Sequence, residues 1–111
     1  MKRIKLFFFF LLLGFGAQAA VYTPTSLPNP KAHDINNYVC NPDEIVDSSE
    51  VRFLNRLAQQ LEDSTLVELC VVAVNSIGEM DAFDFCYEVF QRWGIGKKWK
   101  NTGVLLFLAV E

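Results

Sequence analysis

From residue 47 onward the chain switches between two periodicities. Asp47-Ser48-Ser49-Glu50 has the residue types of a capping box, with Asp47 accepting the first free amide and Glu50 reaching back. Val51, Leu54, Leu57, Ala58 and Leu61 then recur every three or four residues, which predicts a helix over 48–63 with one apolar face. Arg52, Arg56, Gln59 and Glu62 fall on its predicted wet side. The pattern then changes. Leu66-Val67-Glu68-Leu69-Cys70-Val71-Val72-Ala73-Val74 is an apolar, β-branched run between polar turns, as expected of a central strand buried on both faces.

Ser76-Ile77-Gly78-Glu79 reads as a turn, and Asp81 and Asp84 stand at the N-cap and N3 positions of a second helix. Phe83, Cys86, Val89, Phe90 and Trp93 give it an apolar face over 82–93, and Gly94 supplies a left-handed stop. A glycine turn with three lysines and two tryptophans, Trp93 to Gly103, leads into an apolar run of strand length, 103–110. Upstream, Tyr38 to Asp43 reads as an extended lead-in followed by an Asn-Pro turn. The order helix, strand, helix, strand predicts an α/β fold with a right-handed parallel crossover. Two strands and two helices bury little for a whole domain, so residues 38–111 are expected to be the front portion of a larger one.

Composition changes the picture mainly at the N-terminus. Lys2, Arg3 and Lys5 precede an apolar stretch from Leu6 to Gly16 and the small-residue site Ala17-Gln18-Ala19. This is the pattern of a secretory signal peptide over 1–19, with a core short for a membrane span. Pro24, Pro28 and Pro30 among polar residues make 20–37 an expected extended linker, and its lone His33 is given no role. Without the leader, seven basic residues face thirteen acidic ones. A net-acidic exported chain gives no reason to expect nucleic-acid binding. Three cysteines are an odd number without metal-type spacing. Cys70 and Cys86 read as small buried hydrophobes, and whether they pair is left open.

Several segments together resemble one known family. Tyr38-Val39-x-Asn41-Pro42, the Val71-Val72-x-Val74 strand and Phe90-x-x-Trp93 are similar to motifs of the TPM domain family, sometimes called TPM phosphatases. Trp93-Gly94-Ile95-Gly96 through Asn101-x-Gly103-Val104-Leu105-Leu106 carries the most specific part of the likeness. The resemblance implies an α/β/α sandwich on a small mixed sheet, truncated after the second strand. It also implies export to a periplasm, thylakoid lumen or cell surface, with membrane attachment through a segment absent here. The activities it implies are acid phosphatase activity, binding of calcium or another divalent metal, and maintenance of membrane protein complexes. Many relatives carry Asp where this chain has Asn41.

The candidate sites follow from both sources. Gly94-x-Gly96-Lys97-Lys98 offers backbone amides and the charges of Lys97 and Lys98 to an anion such as phosphate. The turn does not open a helix and lacks the full nucleotide-loop pattern, and a plain helix stop with solvated lysines explains the same residues. By family analogy Asn41 and Asn101 are the candidate metal ligands, with turn-forming roles as the alternative. Asp81, Asp84 and Glu88 read as caps and a solvated stripe. No nucleophile with an activating base stands out, so catalytic residues stay unassigned. The resulting expectation is an exported binding or membrane-complex maintenance module, tuned by a divalent cation. The alternatives are a metal-dependent acid phosphatase and a free secreted effector.

Overall fold

The computed structural model describes residues 20–111, and the expected leader over 1–19 lies outside the described residues. Strands β1 (Val39–Cys40), β2 (Glu68–Val74) and β3 (Gly103–Ala109) form one sheet in that spatial order. Both pairings are parallel. Helix α1 (Ser48–Thr65) joins β1 to β2, and α2 (Ala82–Trp93) joins β2 to β3. The expected parallel pairing of the two long strands is present, in the register Glu68↔Gly103 to Val74↔Ala109. A third strand was not expected. The lead-in at Val39 and Cys40 pairs with Val71 and Val72, and two residues are too few to show a period. The antiparallel member that a mixed sheet implies is not among the described residues.

Local capping chemistry sets the helix ends. The Asp47 side chain accepts the amide of Glu50, and Asp81 accepts that of Asp84, so each carboxylate satisfies a free donor of a first turn. Gly94 takes the left-handed conformation that stops α2, at φ 64°. Helix α1 runs two residues past its expected end because Leu66, at φ 63°, accepts the left-handed role usually left to glycine. Strand β2 therefore starts at Glu68, not Leu66.

Strand β2 is the middle of the core. Cys70, Val72 and Val74 turn one face to a cluster with Phe85 and Val89 of α2, joined by Leu105, Phe107 and Ala109 of β3. The Phe85 and Phe107 rings lie 5.4 Å apart. By alternation Val71 and Ala73 point the other way, where they are buried along with Val39 and Ala58 beneath α1. The α2 face corrects the expectation in one respect. Phe83 is 74% exposed, whereas Phe85 is fully buried. Phe85 and Val89 are four apart and fix the inward direction, and Phe83, two residues from Phe85, is carried to the outer side. There its ring stacks with that of Tyr87, 6.4 Å away.

The segment expected to be a linker is part of the body. Val21 bridges Ser76, Leu27 and Pro30 are buried, and the Cys40 thiol donates to the Pro28 carbonyl at 3.1 Å. Prolines suit this packing, since they bring no N–H that burial would leave unsatisfied. The cysteines Cys40, Cys70 and Cys86 are all free. Burial pushes the Cys40 and Cys70 thiols up to about 12, so both stay protonated and unreactive.

The packing of α2 gives the first prediction. Phe85→Ala is expected to lower the unfolding free energy by about 3–5 kcal/mol, whereas Phe83→Ala changes it by less than about 0.5 kcal/mol. Urea denaturation of the two variants checks the order.

Candidate functional site

The turn after α2 folds back tightly on the start of β3. Gly96, at φ 81°, leaves no room for a side chain, because a Cβ there would lie 2.5 Å from the Gly103 nitrogen. Lys97–Trp99 makes one 3-10 turn, and Lys100 and Asn101 follow in left-handed conformations at φ 60° and 66°. The Thr102 hydroxyl reaches the carbonyls of Trp99 (2.6 Å) and Leu66 (2.8 Å) and can donate to either. The Glu68 carboxylate accepts the Gly96 amide at 2.7 Å and pairs with Lys31 at 3.0 Å. The turn is thus tied to the rest of the fold through its Gly96 amide and its Thr102 hydroxyl.

The central anchor is Glu62. It was expected on the wet side of α1 but is only 7% exposed, because the turn and the 21–37 segment close over that end of the helix. Tyr38 donates its hydroxyl to Glu62 at 2.8 Å, and the Trp99 indole N–H donates to the other carboxylate oxygen. The ammonium groups of Lys31 and Lys98 each stand 4.0 Å away. Lys31 also lies over the Tyr38 ring at 4.0 Å, and Lys98 over the Trp99 ring at 4.9 Å. Among the described residues no buried polar side-chain atom lacks a partner.

The sequence candidates divide between the two ends of the sheet. Lys98 belongs to the Glu62 network, Lys97 and Asn101 are exposed beside it, and all three lie where β3 begins. Asn41 follows the last residue of β1 and so sits at the opposite end of these parallel strands. Its side-chain amide donates to the Val46 carbonyl at 2.6 Å and accepts the Val46 amide at 3.1 Å, which closes the loop before α1. Asn41 and Asn101 are therefore not brought together. The 41–47 loop is further held by Asp43, which accepts from the Tyr22 hydroxyl at 2.8 Å and the Asn75 amide at 2.9 Å.

Residues 39–111 match the family model described as the TPM domain. The chain belongs to the TPM domain family. It is also similar to the solution NMR structure of the N-terminal domain of a protein from P. gingivalis, with a TM-score of 0.74 at 28% identity. That match covers 82% of this chain and 58% of the other, so the chain spans less than two thirds of this solved relative. No curated protein matches.

Within this TPM domain the residues missed by sequence reasoning are Lys31, Tyr38, Glu62 and Glu68. They come from a proline-rich segment, a strand lead-in, a helix end and a strand start, and meet only in the fold. A cavity of about 340 Å³ opens beside them, lined by Lys31, Tyr38, Glu62, Lys98 and Trp99 among others. A larger open groove of about 850 Å³ runs between the 28–37 segment and the start of α1, past Asn41, Asp47 and Arg52. Chemically, the lysine turn is a fixed cationic feature with Lys97 and Lys100 facing solvent.

Burial alone would raise the pKa of Glu62. The hydrogen bonds from Trp99 and Tyr38 and the charges of Lys31 and Lys98 outweigh it, leaving the net value below the ordinary 4.5. The Tyr38 hydroxyl is raised by burial and by the same carboxylate, so it stays a donor. A depressed folded-state pKa means this stabilisation is fully present above the unfolded value and is lost as pH falls through the folded one. Urea midpoints followed from about pH 6 to about pH 3 are expected to fall less steeply for Glu62→Gln than for the wild type. At neutral pH the same variant is less stable by roughly 1–3 kcal/mol. Parallel pH profiles would remove Glu62 as the anchor.

Proposed function

We propose that this TPM domain is an exported binding module of the cell envelope. In this reading its lysine turn meets an anionic group on a partner within a membrane-associated complex. One observation carries it: the two acidic side chains nearest the turn, Glu62 and Glu68, are spent inward on holding its backbone and indole. Lys97 and Lys100 are left exposed and, among the described residues, outside any ion pair. A cationic group on a pre-organised turn loses little conformational freedom on binding. Export rests on the leader pattern at the N-terminus. The turn lies at the end of the sheet opposite Asn41, so a divalent cation bound near Asn41 would act on the stability of the 41–47 loop and not directly on the lysines.

Cross-linking in the host envelope tests the reading. A photo-reactive residue at position 97 is expected to trap a partner, and the double variant Lys97→Glu, Lys100→Glu to lose at least nine-tenths of that product. A product unchanged by charge reversal would refute the role of the turn. Calcium calorimetry with a thermal-shift measurement tests the cation part, for which no heat and no shift would be the negative result. Hydrolysis of a phosphate monoester at acidic pH that is abolished by chelator would favour the phosphatase reading instead.

A further inference from the structure

The segment over 21–37 forms a strap fastened at both ends of the sheet. At the carboxyl ends of the strands Val21 bridges Ser76, and the Tyr22 amide donates to the Ser76 carbonyl at 3.0 Å. The Tyr22 hydroxyl donates to one oxygen of Asp43 at 2.8 Å, and the other oxygen accepts the Asn75 amide at 2.9 Å. At the amino ends Lys31 pairs with Glu68 at 3.0 Å and stands 4.0 Å from Glu62. The seven residues of β2 separate the two fastenings, about 23 Å of extended chain. Along the way Leu27 is buried in the core cluster, Pro30 is buried, and the Pro28 carbonyl accepts from the Cys40 thiol. A segment held by a core side chain and by both its ends docks or leaves as one cooperative unit.

We infer that this strap couples the 41–47 loop to the lysine turn. The acidic groups that fasten it also hold those two elements. Asp43, which receives Tyr22, belongs to the 41–47 loop and ties it to Asn75. Glu68 and Glu62, which receive Lys31, also accept the Gly96 amide and the Trp99 indole N–H of the turn. Undocking takes an ammonium group from two largely buried carboxylates, a state that burial disfavours, and their hold on the turn loosens. The same undocking takes the phenol from Asp43 and loosens the loop in which Asn41 lies. A group that binds at one end and favours the docked strap therefore favours order at the other, and the effect is reciprocal. Docked and undocked strap are the two states that such coupling needs. As a control on binding the coupling rests on the envelope-binding reading, whereas its existence is measured without a partner.

Hydrogen exchange followed amide by amide is the test. Tyr22→Phe removes the donor to Asp43. It is expected to speed exchange of the Gly96 amide and the Trp99 indole N–H, at the end it does not touch, by about threefold or more. Lys31→Met is expected to speed exchange of the Asn75 and Val46 amides by a similar factor, and Lys31→Arg, which keeps the charge, to stay near wild type. The Val72 amide in the middle of β2 is expected to change by less than about twofold. Tyr22→Phe is nearly isosteric and decides the matter alone if Lys31→Met does not fold. A change confined to the end that carries the substitution, or a rise of equal size at Val72, would overturn the proposal. Neither measurement involves a partner, so that result would leave the envelope-binding reading standing.

Discussion

One carboxylate holds this end of the molecule together. Taking Glu62 out of water costs several kcal/mol, and that cost is offset only because two neutral donors and two ammonium groups converge on it. Those partners come from different parts of the chain: Lys31 from the proline-rich segment, Tyr38 from the β1 lead-in, Lys98 and Trp99 from the turn before β3. The ordering of the turn, the last two turns of α1 and the docking of the N-terminal segment are thus one event, with the cost of burial shared among them. Glu68 repeats the arrangement on a smaller scale, joining Lys31 to the Gly96 amide.

What the amino-acid order revealed and what it hid divide by range. The Asp47 and Asp81 caps, the Gly94 stop and the buried β2 strand were legible because each rests on neighbours within four residues or on an unbroken period. Glu62 was not, since its hydrogen-bond partners are 24 and 37 residues away and its own spacing suits the wet face of α1. Phe83 and Phe85 stand two apart with equal hydrophobicity, and the face that Phe85 shares with Val89, packed on Phe107 and the β2 cluster, is the one that turns inward. The prolines at 24, 28 and 30 suggested an extended free linker, yet the segment folds into turns and a short 3-10 helix at Pro30–Ala32 and packs on the body.

The two asparagines show the same limit at the level of the site. Motif likeness placed Asn41 and Asn101 together as ligands, yet a parallel strand order carries the end of β1 and the start of β3 to opposite edges. Family motifs list residues by sequence, whereas a binding site is an arrangement in space. Asn41 has a definite task of its own, since its amide closes the 41–46 loop from both sides of Val46.

The charge polarity of the sheet has a cause inside α2. A helix is favoured by anions at its N-terminus and cations beyond its C-terminus, and α2 has Asp81 and Asp84 at one end and the lysine turn just past the other. Because α2 runs antiparallel to the strands it connects, these stabilising charges fall at opposite ends of β3. The lysines are thus concentrated at one edge of the molecule before any partner is considered. A surface suited to anionic recognition thus follows from a helix being capped well.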